Sequence, residues 1–265
     1  MAQRLAADGA TVTICGRTEA RLADAVTATG EVGGEGSLAF VVADVTDEDA
    51  VASAVAAAED RTGGPLGAVV ACAGGSDSLG SVADLDLDAW QRTIDLNLTG
   101  TYRVLKHGAR SLVRGGGGSF VAISSIAALV SHPWFGAYGP AKAAINMLCR
   151  QAADELGPSN VRVNSVCPGL IDTELVALVT GPGPVLDSYL DNTPLGRIGH
   201  TDDVANLVRF LVGPESTWLT GQVIAIDGGQ SVRRGPSLYG VLEPFMGADA
   251  LRGVAPGPAI DPSAP

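Results

Sequence analysis

Short β-branched and apolar runs alternate with Ala/Leu-rich stretches along most of the chain. Residues 11–15 (TVTIC), 38–43 (LAFVVA), 68–72 (AVVAC), 119–124 (SFVAIS), 161–167 (VRVNSVC) and 222–226 (QVIAI) read as continuous strands rather than alternating ones. Strands of that kind are covered on both faces. Between them the spacing predicts helices over 18–29, 46–61, 88–113, 138–156 and 201–212. The second and the last open with Thr followed by acids, a hydroxyl cap with carboxylates at the positive end of the helix dipole. Strand–helix alternation predicts an α/β fold: a doubly wound parallel sheet with helices on both faces, Rossmann-like. In such a sheet a ligand lies beyond the C-terminal strand ends, where chain order reverses. Small and polar residues stand at those ends: Gly16-Arg17-Thr18, Asp44-Val45, Ala73-Gly74-Gly75, Ser124-Ser125, Pro168-Gly169 and Asp227-Gly228-Gly229.

Two stretches leave the alternation. Residues 171–200 carry Pro182, Pro184 and Pro194 and read as a lid or binding loop. Residues 231–265 read as a tail following one domain over 1–230, with the Pro/Gly-rich end from 253 disordered. The chain has 265 residues, 46% of them apolar, enough for a sizeable core. Its net charge of -12 disfavours phosphate backbones and anionic lipid, so neither nucleic acid nor membrane is an expected partner. No apolar run reaches membrane-helix length, and MAQRLAADGA is no secretory signal. Cys15, Cys72, Cys149 and Cys167 form no C-x-x-C pair and read as buried thiols of a reducing compartment. A cytoplasmic protein is the expectation. His107, His132 and His200 are isolated, so no metal site is expected.

Candidate chemistry centres on Tyr138 and Lys142, four residues apart at a helix start and therefore on one helical face. A surface tyrosine beside a solvated lysine would show the same spacing. Ser125 ends an apolar strand thirteen residues earlier, where its hydroxyl can meet the phenol, or merely satisfy a turn. The trio suits proton relay to a carbonyl or alcohol. A phenol titrates near ~10, and a close ammonium would lower that by about three units. Ser125 would hold the reacting oxygen. No side chain transfers hydride, so a nicotinamide cofactor is implied.

These residues and their surroundings resemble the short-chain dehydrogenase/reductase family, from Met1 to about Gln230. The resemblance adds Asn97 in LNLTG, the family's asparagine that holds a water in the proton relay. It assigns Asp44 and Val45 to the adenine, and Ala73 and Gly74 to the cofactor wall. Pro168, Gly169, Ile171 and Thr173 match the segment facing the nicotinamide carboxamide. Residues 71–74 read Ala-Cys-Ala-Gly where the family usually has Asn-Asn-Ala-Gly. An NAD site needs an acid after the second strand. Here Arg17 stands there instead, which favours NADP(H) over NAD(H), although a solvated turn residue would look the same. The catalytic set is thus Asn97, Ser125, Tyr138 and Lys142, and the substrate a small, apolar carbonyl or alcohol.

Family members begin with a strand and a Gly-rich turn that cradles the pyrophosphate. Neither is in this sequence, and residues 1–7 look like the middle of the helix that follows. The resemblance places that strand between residues 11–15 and 68–72. Losing it would cost on the order of 10–20 kcal/mol against ~5–15 for a whole domain. The expectation is that Met1 is an internal methionine of a protein roughly twenty residues longer. Trp134 and Phe135 suit either a substrate wall or core packing. Apolar residues of 174–200, such as Leu186, Tyr189 and Leu190, would close over an apolar substrate. By family habit the helices over 88–113 and 138–156 pair into a homotetramer, or a homodimer. An epimerase or dehydratase with the same Tyr–Lys pair, and a non-catalytic dinucleotide binder, are the alternative readings.

Overall fold

The computed structural model describes residues 1–30, 36–173, 176, 181–233 and 238–254. Each apolar run becomes a parallel strand: β1 Thr11–Gly16, β2 Ser37–Val42, β3 Ala68–Ala71, β4 Gly118–Ile123, β5 Val161–Pro168 and β6 Val223–Ile226. They form two pieces, β1–β2 and β3–β4–β5–β6. The first piece has edges at β1 and β2, the second at β3 and β6. Registers are parallel throughout, with Thr11 opposite Ser37 and Gly118 opposite Val161.

Helices cover the sheet as the alternation requires: α1 Ala2–Ala7, α2 Glu19–Gly30, α3 Glu48–Thr62, α4 Leu87–Ile94, α5 Gly100–Arg114, α6 Tyr138–Leu156, α7 Pro184–Asn192 and α8 Thr201–Val212. On one face α5 and α6 pack Leu105, Leu112, Ile145 and Cys149 against Phe120 and Val163. On the other α8 packs Val204, Val208 and Leu211 against Val121 and Val166. Several sequence expectations need correction. The cap of α3 is Asp47, whose carboxylate accepts from the Asp49 and Ala50 amides, while Thr46 turns back to Asp44. The helix expected over 88–113 is broken by a π-turn at Asp95–Thr99. The expected loop contains α7, entered through Pro184, whose missing N–H costs nothing at a helix start.

The tail, finally, is not without structure. It forms α9 Tyr239–Met246 and α10 Ala248–Leu251, which join α7 and the turn before α6 in a third apolar cluster: Val185, Tyr189, Leu238, Leu242 and Leu251 against Trp134 and Phe135. Of the stretch expected to be disordered, residues 255–265 lie outside the described residues. The thiols also divide. Cys149 and Cys167 are buried, whereas Cys15, on the edge strand β1, and Cys72, just past the edge strand β3, are exposed. No described helix is long and apolar enough to cross a membrane.

Candidate active site

The last residues of β4 and the first turn of α6 carry the centre. Tyr138 opens α6, and Pro140 falls in the first turn, where a missing N–H is tolerated. Ser125 begins a 3-10 turn, Ile126–Ala128, and its hydroxyl accepts from the Ala127 amide at 3.1 Å. The same hydroxyl lies close enough to the Tyr138 phenol to favour its ionised form. Lys142, 2% exposed, lies under the ring with its ammonium 5.4 Å from the ring centre. It donates to the Ile123 carbonyl at 2.9 Å, and Ser124 ties the same helix turn to β4 by donating to the Lys142 carbonyl. Asn97, fully buried in the π-turn, donates to the carbonyls of Gly75 at 2.6 Å and Thr93 at 2.8 Å and accepts from the Gly75 amide. A side chain on Gly74 would stand 2.7 Å from the Asn97 Oδ1 and 2.9 Å from the Lys142 Nζ. Five residues, from the ends of β3 and β4, the π-turn and the first turn of α6, therefore converge.

The electrostatics differ from the sequence expectation. Burial pushes the Tyr138 phenol up, and Ser125 offsets only part of that. Burial also lowers Lys142 from its usual 10.5 to about 8, with the nearby Cys72 and Cys167 thiols acting in the opposite direction. Desolvation is the largest influence on each group, so the phenol keeps its proton at neutral pH.

The remaining site residues lie at neighbouring strand ends. Arg17 is exposed just past β1, beside Asp44 beyond β2. The Asp44 carboxyl is held low chiefly by the Thr46 amide, then by the Thr46 hydroxyl and the Arg17 and Arg103 charges, against a smaller rise from burial. Val45 is buried and packs on Gly100, so its side chain braces α5. Arg103, which sequence reasoning passed over, holds the Val45 carbonyl and Asp95. Ala73 and Gly74 are exposed at the tip of β3. Pro168 ends β5, and the Gly169 amide donates to Ile226 while its α-carbon lies too close to Asp227 for a side chain. Ile171 bridges to Gly199, and Thr173 is exposed next to it.

These residues fit a nicotinamide dinucleotide. The buried Lys142 ammonium has three protons and, among the described residues, one hydrogen-bond acceptor, the Ile123 carbonyl. The side-chain-free turn at Gly74 opens directly beside it. On the substrate side, the Phe135 ring lies tilted at 46° to that of Tyr138 with centres 6.3 Å apart, and Tyr189 of α7 is raised by burial and by Tyr138 itself. Trp134 instead belongs to the third cluster and donates to the Leu251 carbonyl at 3.1 Å. A cavity of about 520 Å³ lies beside the centre, lined by His132, Trp134, Phe135, Pro140 and Ala143; Tyr138 and Lys142 do not line it.

Comparison with known proteins follows the same line. Residues 1–231 match a family model described as enoyl-(acyl carrier protein) reductase. The chain is 40% identical over 235 residues to trans-4-hydroxycyclohexanecarboxylate dehydrogenase of Sinomonas cyclohexanicum, covering 87% of this chain and 86% of that protein. A short-chain type dehydrogenase/reductase from Mycobacterium ulcerans superposes with a TM-score of 0.93 at 50% identity, over 96% of this chain and 92% of that one. A 7α-hydroxysteroid dehydrogenase, solved with NADH and a 7-oxo bile acid, superposes with a TM-score of 0.78 at 28% identity, over 86% and 87%. The chain belongs to the short-chain dehydrogenase/reductase family, oxidoreductases that interconvert alcohols and carbonyls with a nicotinamide dinucleotide.

Proposed function

We propose that this protein interconverts a small, largely apolar secondary alcohol and its ketone, using NADP(H), with Tyr138 as the acid/base. The observation that carries this reading is the convergence of the Tyr138 phenol, the Ser125 hydroxyl and the buried Lys142 ammonium at one strand end. A bound nicotinamide supplies or takes the hydride. In reduction the Ser125 hydroxyl donates to the ketone oxygen, and the Tyr138 phenol gives that oxygen its proton. The phenolate left behind is stabilised by the Lys142 ammonium, and Asn97 holds the Gly74–Gly75 turn against which both work. A phenol that keeps its proton at pH 7 suits the reductive direction. Oxidation needs the phenolate and is favoured as pH rises.

Arg17 beside Asp44, with no acid at the end of β1, supports the choice of NADP(H). Alicyclic 4-hydroxy acids are the first substrates to try, since a relative at 40% identity is named for one. Half-exposed Tyr102 on α5 and Met147 on α6 support self-association through those helices, as a homotetramer or homodimer. Light scattering checks the mass. The decisive experiment compares wild type and Tyr138→Phe on a panel of cyclic ketones with NADPH and NADH. Turnover should fall by about 10²- to 10⁴-fold while NADPH binding persists. Undiminished turnover would overturn the assignment.

A further inference from the structure

Outside the centre, a buried chain of hydroxyls leads from a surface ion pair to the start of the helix that carries Tyr138. Ser78, 2% exposed, accepts through its Oγ from the Ala137 amide at 3.0 Å. The same Oγ lies 3.1 Å from the Thr93 Oγ1, and Thr93 is 1% exposed. Thr93 in turn bonds to the Asp77 Oδ1 at 2.8 Å, while Asp77 pairs with Arg92 at 2.7 Å.

The direction of every proton in this chain is fixed. A carboxylate accepts only, so the Thr93 hydroxyl must donate to Asp77. Its proton is then spent, so Thr93 can only accept from Ser78. Ser76 offers Ser78 a contact at 3.5 Å, too long to compete. The Ser78 proton therefore points to Thr93, and its lone pairs face the Ala137 N–H. Burial alone would raise Asp77, but hydrogen bonds from Arg92 and Thr93 hold its carboxyl below the usual range, so the terminal acceptor stays charged. Chains of this kind polarise each member in turn.

The surroundings leave Ala137 little freedom. The Gly80 amide donates to the Trp134 carbonyl, and Gly80 bridges to Phe135. Gly136, at φ 55°, passes so close to Ser78 that a side chain there would collide with the Ser78 carbonyl. Thr93 also accepts the Asn97 amide on its own carbonyl. One residue thus braces Asn97 through its backbone and the Tyr138 turn through its hydroxyl.

We propose that Ser78 and Thr93 are positioning residues for Tyr138, with Asp77 setting the orientation of both hydroxyls. The inference rests on Tyr138 being the acid/base. Thr93→Val removes the hydroxyl and keeps the shape; Thr93→Ser keeps the hydroxyl. Thr93→Val should lower kcat for ketone reduction about tenfold or more, with KM and NADPH affinity little changed, and Thr93→Ser should recover activity to within about twofold. A readout that needs no substrate is ultraviolet titration of the phenols. The transition that Tyr138→Phe deletes should shift in Thr93→Val and Ser78→Ala and stay in place in Thr93→Ser. Wild-type kcat and an unmoved transition in Thr93→Val, with Tyr138→Phe inactive, overturn this inference alone. So does an equal loss in both Thr93 variants with an equal fall in Tm, which marks a merely structural role. Activity retained in Tyr138→Phe overturns the acid assignment and this inference with it.

Discussion

The two pieces of the sheet are built from similar apolar runs and are packed very differently. No residue of β1 or β2 is fully buried, whereas β4 and β5 place Phe120, Val121, Ala122, Val163, Val166 and Cys167 at 0% exposure. The first piece carries Arg17 and Asp44; the second carries Ser125 and Pro168 and seats α6 with Tyr138 and Lys142. Proton transfer tolerates little misplacement, and the residues proposed for it sit on the piece whose backbone and side chains are locked by two cores. Holding an adenine and a phosphate is less demanding of position, and the residues proposed for that end sit on the looser piece.

Truncation measures this contrast most directly. Phe120→Ala should cost about 3–5 kcal/mol in urea unfolding, and Phe40→Ala on half-buried β2 roughly 1–2 kcal/mol. Equal costs would mean the two pieces are one cooperative core. The next effect is one of pH. The Lys142 ammonium is depressed to about 8 in the folded protein, below its usual 10.5, so folding is penalised while the group is charged. Below about pH 8 that penalty is fully felt, and it is relieved as pH rises from 8 to 10.5. Stability of wild type minus that of Lys142→Met should climb by up to about 3 kcal/mol across that window. A flat difference would show that Lys142 is better solvated than its burial implies. The smallest effect belongs to the looser piece: Arg17→Ala should weaken NADPH about tenfold and leave NADH nearly unchanged, as read by fluorescence titration. Equal weakening of both would remove Arg17 from the 2′-phosphate.

Much of this was legible in the chain. The strands declared themselves as unbroken apolar runs, and Tyr138–Leu156 was bounded correctly because Ala-rich periodicity and the Gly136 break agree. The π-turn at Asp95–Thr99 was not, since one extra residue in a helical turn barely disturbs a 3.6-residue pattern. The segment Pro184–Asn192 was hidden by the surrounding Pro and Gly, although Pro184 at its first turn was itself a start signal. Pro244 concealed Tyr239–Met246 in the same way. Within the site, Asn97, Ser125, Tyr138 and Lys142 stood in recognisable motifs. Ser78, Thr93 and Asp77 did not, because three small polar residues become a chain only when two loops and a helix are folded together. The direction of the Tyr138 shift was missed for a related reason: spacing reveals a neighbouring charge but not how dry the pocket is.

Trp134 takes a left-handed backbone, φ 65°, which a side chain of that size adopts only when anchored on several sides. Its anchors are Gly80, through its carbonyl, and Leu251, through its indole nitrogen. Anyone redesigning substrate scope by grafting a relative's C-terminal helices onto this scaffold would therefore be editing the footing of Tyr138, the proposed acid/base, as well. The graft and position 134 have to be exchanged as one cassette.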